Sequence, residues 1–459
     1  MSSPRVPAHW YASLVILPLT VWWLGFYPGF GHTDTFDQWN QLQTEVISNY
    51  HPAIHTIYMD ALSLDGTRPG LVSGFQIMAL TALLVYAAKW LIRAGVPSWL
   101  GVGAMILLGL SPAIPPTTMA LWKDVPFALA CVWAWVELLA LAVDRDRRAR
   151  PWPWLRLGIA LSGIWLFRAN GIVTALPMVL ILAWVYRRHW RQMAITAGII
   201  ALLVVGITGP LYQLREVSES AIEPVEALLP EIAASLIASP ETFDSTEQTL
   251  LETLAPMDVW TAEYDCYESN GLLFHPSFDH LPVRADPGPY RSLFLEVLLR
   301  DPSSVVRHRL CASNFVYVPV QPGDAYFHRP PYDFPPNEVG LQRRPISDRA
   351  FALTDRYWRW AERDDVLWLT WRPAIVVLPA LAVTLLLALV PAGRRFLPPA
   401  ILFSLHVANV MVTSPVQEFR YAYPLYLMGW LTLLLAFPAL DGWRNARVSA
   451  AQPEAETTV

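Results

Sequence analysis

Long runs of apolar residues recur along this 459-residue chain and constrain its fold more than any other feature. A run of about 20 apolar residues is long enough to cross a bilayer as a helix. Only 15% of the residues are charged, against about 25% in a typical soluble domain. The pattern therefore predicts an all-α polytopic membrane protein with about ten transmembrane helices. The runs lie near residues 10–28, 71–93, 98–117, 122–143, 154–167, 172–186, 193–212, 366–391, 397–413 and 421–440.

Basic residues stand at alternate ends of these runs and indicate the orientation of the helices. Arg5 precedes the first run, and basic residues follow the second, fourth, sixth, eighth and tenth. Loops rich in lysine and arginine favour the cytoplasmic side of a membrane. With ten crossings every basic cluster and both termini are cytoplasmic. We therefore predict a multi-pass protein of the cytoplasmic (inner) membrane.

The stretch 154–186 is too long for one simple crossing. A single straight helix there would be roughly 45 Å long, whereas the bilayer core is about 30 Å thick. It would also hold Arg168 inside the bilayer, at a cost of about 2.5–3.5 kcal/mol. We therefore predict two short helices that turn at residues 168–171 on the outer face.

The alternation of apolar and polar segments predicts four parts. The long polar part is large enough for a small domain outside the membrane, built mainly of helices and loops. The four parts are an N-terminal transmembrane module at 1–212 with an outer loop at 29–70, an extracytoplasmic domain at 213–365, C-terminal transmembrane helices at 366–440, and a cytoplasmic tail at 441–459 that is disordered after Arg447.

Within the polar part, residues 246–254 and 290–312 have the pattern of helices, and the rest has the pattern of loops. Cys266 and Cys311 also lie there. Outside the cytoplasm they would be able to form a disulfide, and the alternative is two separate buried thiols. The formal net charge of −5 argues against a nucleic-acid partner.

The loop after the first run predicts an amphipathic helix at the interface, with its apolar stripe in lipid. Asp34 and Asp37 are three residues apart, so they lie on one side of it. Three interpretations stay open: a general base for an acceptor hydroxyl, a pair that holds a divalent cation (Mg or Mn) against a phosphate, or a solvated face capped by Thr33 or Asp34. The polar side holds Asp34, Asp37, Gln38, Gln41 and Glu45, and the apolar stripe Phe36, Trp39, Leu42 and Val46.

His51 and His55 follow in the same loop, four residues apart. That spacing suits a metal pair, but no third ligand stands nearby with a known spacing. The two histidines could instead donate or accept hydrogen bonds to a phosphate or a sugar hydroxyl. A purely structural role for the pair is the alternative.

Several polar residues are predicted to meet at the outer ends of the helices. Lys123 is one of only two lysines in the chain and stands where the third and fourth runs turn on the outer face. An ammonium group binds phosphate as a point charge, so Lys123 is a candidate phosphate ligand. A simple ion pair with Asp124 at the interface would also explain a lysine at this position. The predicted topology brings Lys123, Arg168 and Arg420 to one face, beside Asp34 and Asp37. A cationic cluster beside carboxylates suits the binding of a lipid-phosphate donor. The alternative is that each cation is a separate interfacial anchor. The predicted substrate-binding residues are His51, His55, Lys123, Asp124, Arg168, Asn170, Glu418, Arg420 and Tyr421.

These motifs together resemble those of bacterial multispanning glycosyltransferases of the GT-C type. The similarity is greatest to a poorly characterised branch with YPG…D, NxHP, KD and RxNG motifs, and covers about 1–212 well and 366–440 moderately. The segment 213–365 matches no family that we can name. The motifs in this chain are Tyr27-Pro28-Gly29 with Asp34 and Asp37-Gln38, Asn49-Tyr50-His51-Pro52 with His55-Thr56, Lys123-Asp124, Arg168-Ala169-Asn170-Gly171, and Arg420-Tyr421 with Pro424.

The resemblance implies an inverting transfer of a sugar from a polyprenyl-phosphate donor to an extracytoplasmic glycan, lipid or protein of the cell envelope. It implies that Asp34 is the catalytic base, with Asp37 the second candidate, and that Lys123 and Arg420 hold the donor phosphate. Members of the class differ in their need for metal, and the sequence has no certain metal site. Tyr50 and Thr35 depart from the histidine and serine of the branch, which puts the acceptor chemistry in doubt.

Two other classes of function compete with a transferase. A transporter or flippase of a lipid-linked saccharide usually has inverted repeats and charges at the bilayer midplane. This chain has no evident repeat, and its unusual polar residues cluster at the outer face. The other alternative is a non-catalytic assembly protein of the cell envelope that acts through residues 213–365.

Overall fold

The computed structural model of the chain describes residues 8–218, 224–323 and 325–451. These residues form helices, turns and loops, with four isolated β-bridges and no strand among them. The predicted all-α fold class is therefore confirmed.

The N-terminal part of the chain contains long apolar helices and short polar ones. Its helices are α1 Ala8–Gly25, α2 Thr33–Thr44, α3 Ala53–Ser63, α4 Pro69–Ala94, α5 Ser98–Leu110, α6 Ile114–Thr118, α7 Asp124–Val143, α8 Pro151–Leu166, α9 Ile172–Val185, α10 Trp190–Gly206 and α11 Tyr212–Leu214.

The polar middle of the chain is more helical than predicted, since only α13, α17 and α18 match expected helices. Its helices are α12 Leu229–Ala238, α13 Ser245–Glu252, α14 Met257–Ala262, α15 Asn270–Leu273, α16 Leu281–Ala285, α17 Gly288–Arg300, α18 Pro302–Ala312, α19 Asp348–Ala361 and α20 Asp364–Thr370. The last four are α21 Ala374–Leu389, α22 Leu397–Thr413, α23 Phe419–Leu433 and α24 Ala436–Ala451.

Six helical segments of the described chain are long and apolar enough to cross a membrane, and three shorter apolar helices accompany them. The chain is therefore a multi-pass membrane protein; ten crossings and cytoplasmic termini stay predictions. The six are Pro69–Ala94, Asp124–Val143, Arg187–Leu214, Asp364–Leu389, Arg394–Thr413 and Phe419–Asn445, and the shorter ones are Ala12–Gly25, Ser98–Leu110 and Ala169–Val185.

Helix α7 is the centre of the transmembrane part. Nearly all of its residues are buried, and α4, α8, α22 and α23 pack around it. A helix that is apolar on every side is stable only when other helices or lipid surround it. Asp124, the first residue of α7, therefore lies beside the ends of the helices that pack around α7.

The helices α8 and α9 are separated by a short 3₁₀ turn at Ala169–Gly171, where the sequence predicted a turn. A Cβ atom on Gly171 would lie 1.8 Å from the carbonyl oxygen of Ile164. The backbones at Gly171 and Ile164 therefore lie closer together than a residue other than glycine at position 171 would allow.

Part of the polar segment has a hydrophobic core of its own, which includes Leu229, Trp260 and Val297. Cys266 and Cys311 are joined by a disulfide there, which resolves the alternatives left open by the sequence. The division of the chain into four parts stays a prediction.

At the C-terminal end, α24 continues to Ala451. The prediction of disorder after Arg447 is therefore wrong for the residues up to 451, and 452–459 lie outside the described residues, as does Arg5.

Candidate active site

The first outer loop is fastened beside Lys123 by main-chain contacts. The amide of Leu121 donates to the carbonyl of Phe30 at 2.8 Å. Gly29 has φ +133°, and a Cβ atom there would lie 2.3 Å from the carbonyl oxygen of Met119. Only glycine permits this close approach, so the YPG motif positions the segment that leads to Asp34.

Helix α2 starts one residue before Asp34, and its N-cap residue is His32. The expectation that Thr33 or Asp34 caps the helix is therefore wrong. Asp34 lies in the first helical turn, where a carboxylate interacts favourably with the helix dipole.

The apolar side of α2 faces protein and not lipid, which corrects the prediction of an interfacial helix. Trp39 is only 1% exposed and belongs to a cluster with Met59, Val72, Leu121 and Leu341. These partners come from four distant segments, so no local pattern reveals them. Only Val46, just beyond the helix, is strongly exposed among the four apolar residues of the stripe.

Asp34 is held between two cations. Its Oδ2 atom accepts hydrogen bonds from Lys123 Nζ at 2.9 Å and from Arg420 Nη1 at 2.7 Å. Its Oδ1 atom faces His32 Nδ1 at 3.6 Å and His51 Nε2 at 3.9 Å. The Asp34 side chain is 21% exposed, so solvent still reaches the carboxylate.

The two histidines are oriented by the same cations. Lys123 Nζ lies 3.1 Å from His51 Nδ1, and Arg420 Nη1 lies 2.8 Å from His32 Nε2. Lysine and arginine have only N–H donors here, so these ring nitrogens are the acceptors. The ring hydrogen of His51 then lies on Nε2, on the side of Asp34 Oδ1. His32 Nδ1 instead accepts from the backbone amide of Asp34 at 3.1 Å, which is the N-cap bond of α2.

Arg168 and Asp124 form a second ion pair in the same place. The guanidinium donates from Nη1 to Asp124 Oδ1 and lies over the Tyr421 ring, 4.6 Å from its centroid. Asp124 is completely buried. Asn170 accepts from Arg168 Nε at 3.1 Å and donates to Thr413 Oγ1 at 2.7 Å, so its side chain braces the arginine.

Glu418 completes the group, since its Oε2 atom accepts from Arg420 Nε. It lies on a β-bridge to His328, whose Nδ1 is 3.8 Å from Glu418 Oε1. Arg420 Nη2 also donates to the Tyr421 hydroxyl at 3.3 Å. We name the six charged residues the ionic cluster: Asp34, Lys123, Asp124, Arg168, Glu418 and Arg420.

The charges of the ionic cluster set the titration of the groups in the outer loop. Burial alone would raise the pKa of Asp34, but Lys123 and Arg420 outweigh it and hold that pKa well below its ordinary value. Burial and the charge of Lys123 lower the pKa of His51 to about 3, and burial and Arg420 lower that of His32 as well. The carboxylate is therefore ionised and both histidines are neutral near pH 7.

Two of the predicted site residues, Asp37 and His55, form hydrogen bonds with residues outside the ionic cluster. Asp37 is exposed and accepts from Gln41 Nε2 at 2.9 Å. Burial, together with the charge of Asp34, raises its pKa against that hydrogen bond. His55 is fully buried, and its Nδ1 is 2.8 Å from Gln38 Oε1.

Sequence reasoning missed His32 and His328 as members of the site. His32 lies in the first outer loop, and its place directly before a predicted helix was the only local signal. His328 comes from a loop far along the chain, and its ring centroid lies 6.1 Å from that of His32. Only the folded chain reveals this contact.

The residues of the site do not fit a divalent cation. A Mg²⁺ or Mn²⁺ ion at Asp34 would lie beside the positive charges of Lys123 and Arg420 and repel them. Among residues 8–218, 224–323 and 325–451, no group of three histidine, cysteine, aspartate or glutamate side chains has the arrangement of a metal site. The spacing of His51 and His55 therefore has no metal partner within the described chain.

Two kinds of solved structure are similar to this chain. One is the S. cerevisiae protein O-mannosyltransferase Pmt1-Pmt2 complex bound to the sugar donor, with 14% identity, a TM-score of 0.36 and coverage of 47% of this chain. The chain spans about a third of the length of that protein, at 34%. The other is ArnT from Cupriavidus metallidurans, with 14% identity and a TM-score of 0.33.

ArnT is matched both bound to undecaprenyl phosphate, over 99% of this chain and 82% of that one, and in the apo state, over 97% and 81%. No curated protein matches the chain.

A protein-family profile matches residues 38–270, which start in α2 and end at α15. The matched region covers the His51, Lys123 and Arg168 motifs and makes up half of the chain. The chain therefore belongs to the family described as a family of unknown function, DUF6020.

Proposed function

We propose that the chain is an inverting glycosyltransferase that moves a sugar from a polyprenyl-phosphate donor to an acceptor outside the cytoplasmic membrane. In this proposal Lys123 and Arg420 bind the donor phosphate, Arg168 supports them, and Asp34 is the general base. The acceptor is a glycan, a lipid or a protein of the cell envelope.

One observation carries the proposal: a solvent-reached carboxylate touches two cations at the ends of apolar helices. Asp34, Lys123 and Arg420 come from the first outer loop, the start of α7 and the start of α23. Ammonium and guanidinium groups are the side chains that bind phosphate. A carboxylate beside them is the group that removes a proton from an attacking hydroxyl.

The reaction balances with this chain's own residues. The acceptor oxygen forms a bond to the anomeric carbon from the face opposite the phosphate, and its proton goes to the Asp34 carboxylate. The bond from the anomeric carbon to the phosphate oxygen breaks, and its electron pair stays on the phosphate. The products are the glycoside, with inverted configuration, and the polyprenyl monophosphate.

The cations contribute by stabilising the leaving phosphate, which gains one negative charge. Fixed donors that face a developing charge in a site of low dielectric lower the barrier, by about 2.7–4 kcal/mol for one donor in a well-studied case. The leaving phosphate needs no proton, so a single carboxylate suffices. This differs from the paired carboxylates of glycoside hydrolases.

An apolar groove between α5 and α23 supports a lipid donor. It is lined by Leu107 of α5, by Tyr426 and Trp430 of α23, and by Phe437 at the start of α24. Tyr426 follows Arg420 by six residues on α23, which is about 9 Å along the helix axis. We assign the polyprenyl chain to this groove, so that the phosphate lies at the Arg420 end.

The position of the ionic cluster favours a transferase over the transporter alternative. Asp34, Asp124 and Arg420 lie at or near the first residues of helices, whereas transporter sites lie near the bilayer midplane. A scaffold acting through 213–365 would not need this cluster at all.

The test is turnover with a panel of radiolabelled polyprenyl-phosphate sugars and a cell-envelope extract as acceptor. The expected result is label in a product that no longer partitions with the lipid, together with an equal amount of polyprenyl monophosphate. Proteoliposomes that move the intact labelled lipid across the membrane without cleaving it would overturn the proposal in favour of a flippase. Absence of sugar transfer from every donor in the panel would also contradict the proposal.

A further inference from the structure

Each cation of the ionic cluster already has a carboxylate partner. Lys123 is paired with Asp34, Arg168 with Asp124, and Arg420 with both Glu418 and Asp34. The cluster therefore holds three positive and three negative charges. A phosphate that enters must take its cations from one of these carboxylates.

Two of the three carboxylates are poorly placed to release their cations to a phosphate. Asp124 is completely buried at the start of α7 and faces Arg168 and, at 4.0 Å, Arg420. Glu418 is 5% exposed, and its backbone is tied to His328 on both sides, with Phe419 N donating to His328 O at 2.9 Å. Moving either side chain would leave a buried charge without a partner.

Asp34 is the carboxylate that is able to move. Its side chain is the most exposed of the three. It lies in the first turn of α2, and a rotation about its side-chain bonds carries it towards solvent without breaking the helix. Its Oδ2 atom fills the point that Lys123 Nζ and Arg420 Nη1 share, which is where both cations would hold an anionic phosphate oxygen.

We infer that Asp34 acts as a placeholder for the donor phosphate, and that binding of the phosphate displaces its carboxylate from Lys123 and Arg420 and so frees it to act as the base. The inference rests on the proposed function and adds an order to it. The donor binds first, the acceptor is deprotonated next, and the carboxylate returns to the cations when the polyprenyl phosphate leaves.

The electrostatics agree with this order. The charged groups that face Asp34 are Lys123 at the start of α7 and Arg420 in α23, and the other titratable groups are His32 and His51. While the two cations hold it, the pKa of Asp34 is depressed and the carboxylate is a weak base. Once a phosphate neutralises the cations, their lowering effect is lost, and the new negative charge raises that pKa.

The test is the binding of undecaprenyl phosphate to the full chain in nanodiscs, measured without any sugar or acceptor. If Asp34 competes with the phosphate, the Asp34→Asn variant binds the lipid more tightly, with a Kd at least about fivefold lower than that of the unchanged protein. The same variant loses transfer. Affinity and activity then change in opposite directions, which a merely structural role would not produce.

The matched control is Asp60→Asn, because Asp60 also accepts from an arginine, with Arg215 Nη2 at 3.0 Å, but lies outside the cluster. Its Kd is expected to stay within about twofold. Asp34→Ala repeats the measurement with a second side chain, and thermal unfolding of each variant identifies any that is misfolded.

An equal or weaker affinity in both folded Asp34 variants would overturn the placeholder inference and leave the proposed function intact. If the unchanged protein and its variants all fail to bind undecaprenyl phosphate, the proposed function fails together with the inference. Absence of transfer in the unchanged protein, with tighter binding in Asp34→Asn, would contradict only the transferase activity.

Discussion

The Asp34 carboxylate and the Arg420 guanidinium are joined by a 2.7 Å hydrogen bond, although 386 positions separate them in the chain. The first outer loop and the last transmembrane segment therefore build one site. Neither end of the chain forms it alone. The intervening helices act as the scaffold that brings these two groups together.

Replacing Arg420 tests whether the cation binds the donor phosphate. We expect Arg420→Ala to reduce transfer by about 10²–10³-fold, because the leaving phosphate loses a fixed donor in a site of low dielectric. Initial rates across a range of donor concentrations measure this loss. Arg215→Ala removes an arginine from an ion pair outside the cluster and is the control. An Arg420→Ala enzyme with the rates of that control would exclude a phosphate-binding role.

The turn between α8 and α9 depends on Gly171. We expect Gly171→Ala to lower the free energy of unfolding by about 1–3 kcal/mol, because the added methyl group would overlap the carbonyl of Ile164. Thermal unfolding in detergent measures the change. Gly198→Ala is the matched control, because a Cβ atom at Gly198 meets no atom within 4 Å. Equal free energies of unfolding of the two variants would show that the close approach of Gly171 to Ile164 does not affect stability.

The disulfide between Cys266 and Cys311 closes a loop of 45 residues. In the chain-entropy treatment a loop of this size is worth up to about 4 kcal/mol. The double substitution of both cysteines by serine is therefore expected to lower the melting temperature. Transfer is expected to fall as well, since Gln417, the neighbour of Glu418, donates to the carbonyl of Cys311 at 2.8 Å.

The control for the disulfide variant is reductant, which should destabilise the unchanged protein and leave the double variant as it was. Equal melting temperatures of the unchanged and doubly substituted proteins would contradict the expected stabilisation. Transfer measured on the same samples separates an effect on the site from one on stability alone.

Filling the groove between α5 and α23 tests the place assigned to the lipid chain. Gly103 lines this groove and has open space around it. We expect Gly103→Leu to raise the KM for an undecaprenyl donor by at least about fivefold. The leucine side chain would occupy space assigned to the lipid chain, and overpacking the occupied groove costs about 1–3 kcal/mol. A donor with two isoprene units should be unaffected. Gly198→Leu is the control, and an unchanged KM for the long donor would place the chain elsewhere.

Much of the fold follows from the sequence because the bilayer demands apolar helices of fixed length. The break between α8 and α9 was predictable, since an arginine in the bilayer is costly. The helices of the polar segment were harder to predict. Their apolar faces pack within a small local core around Leu229 and Trp260, and short amphipathic helices leave a weak pattern.

The site divides in the same way. The predicted topology brought Asp34, Lys123, Arg168 and Arg420 to one face. The structure places Asp34 in contact with Lys123 and Arg420 and joins Arg168 to them through Asp124. Their roles stay predictions. The sequence could not predict that α2 packs against protein, because the partners of Trp39 are scattered along the chain. The pairing of Asp34 with two cations likewise depends on tertiary contacts.

The most direct measurement of the central claim is single-turnover transfer from a polyprenyl-phosphate sugar by the Asp34→Asn protein in nanodiscs. Loss of the base predicts a rate at least about 10²-fold lower than that of the unchanged protein. Asp60→Asn should retain its rate, and Asp37→Asn should lose much less, because Asp37 lies outside the ionic cluster. A folded Asp34→Asn protein that transfers sugar within about twofold of the normal rate would contradict the account.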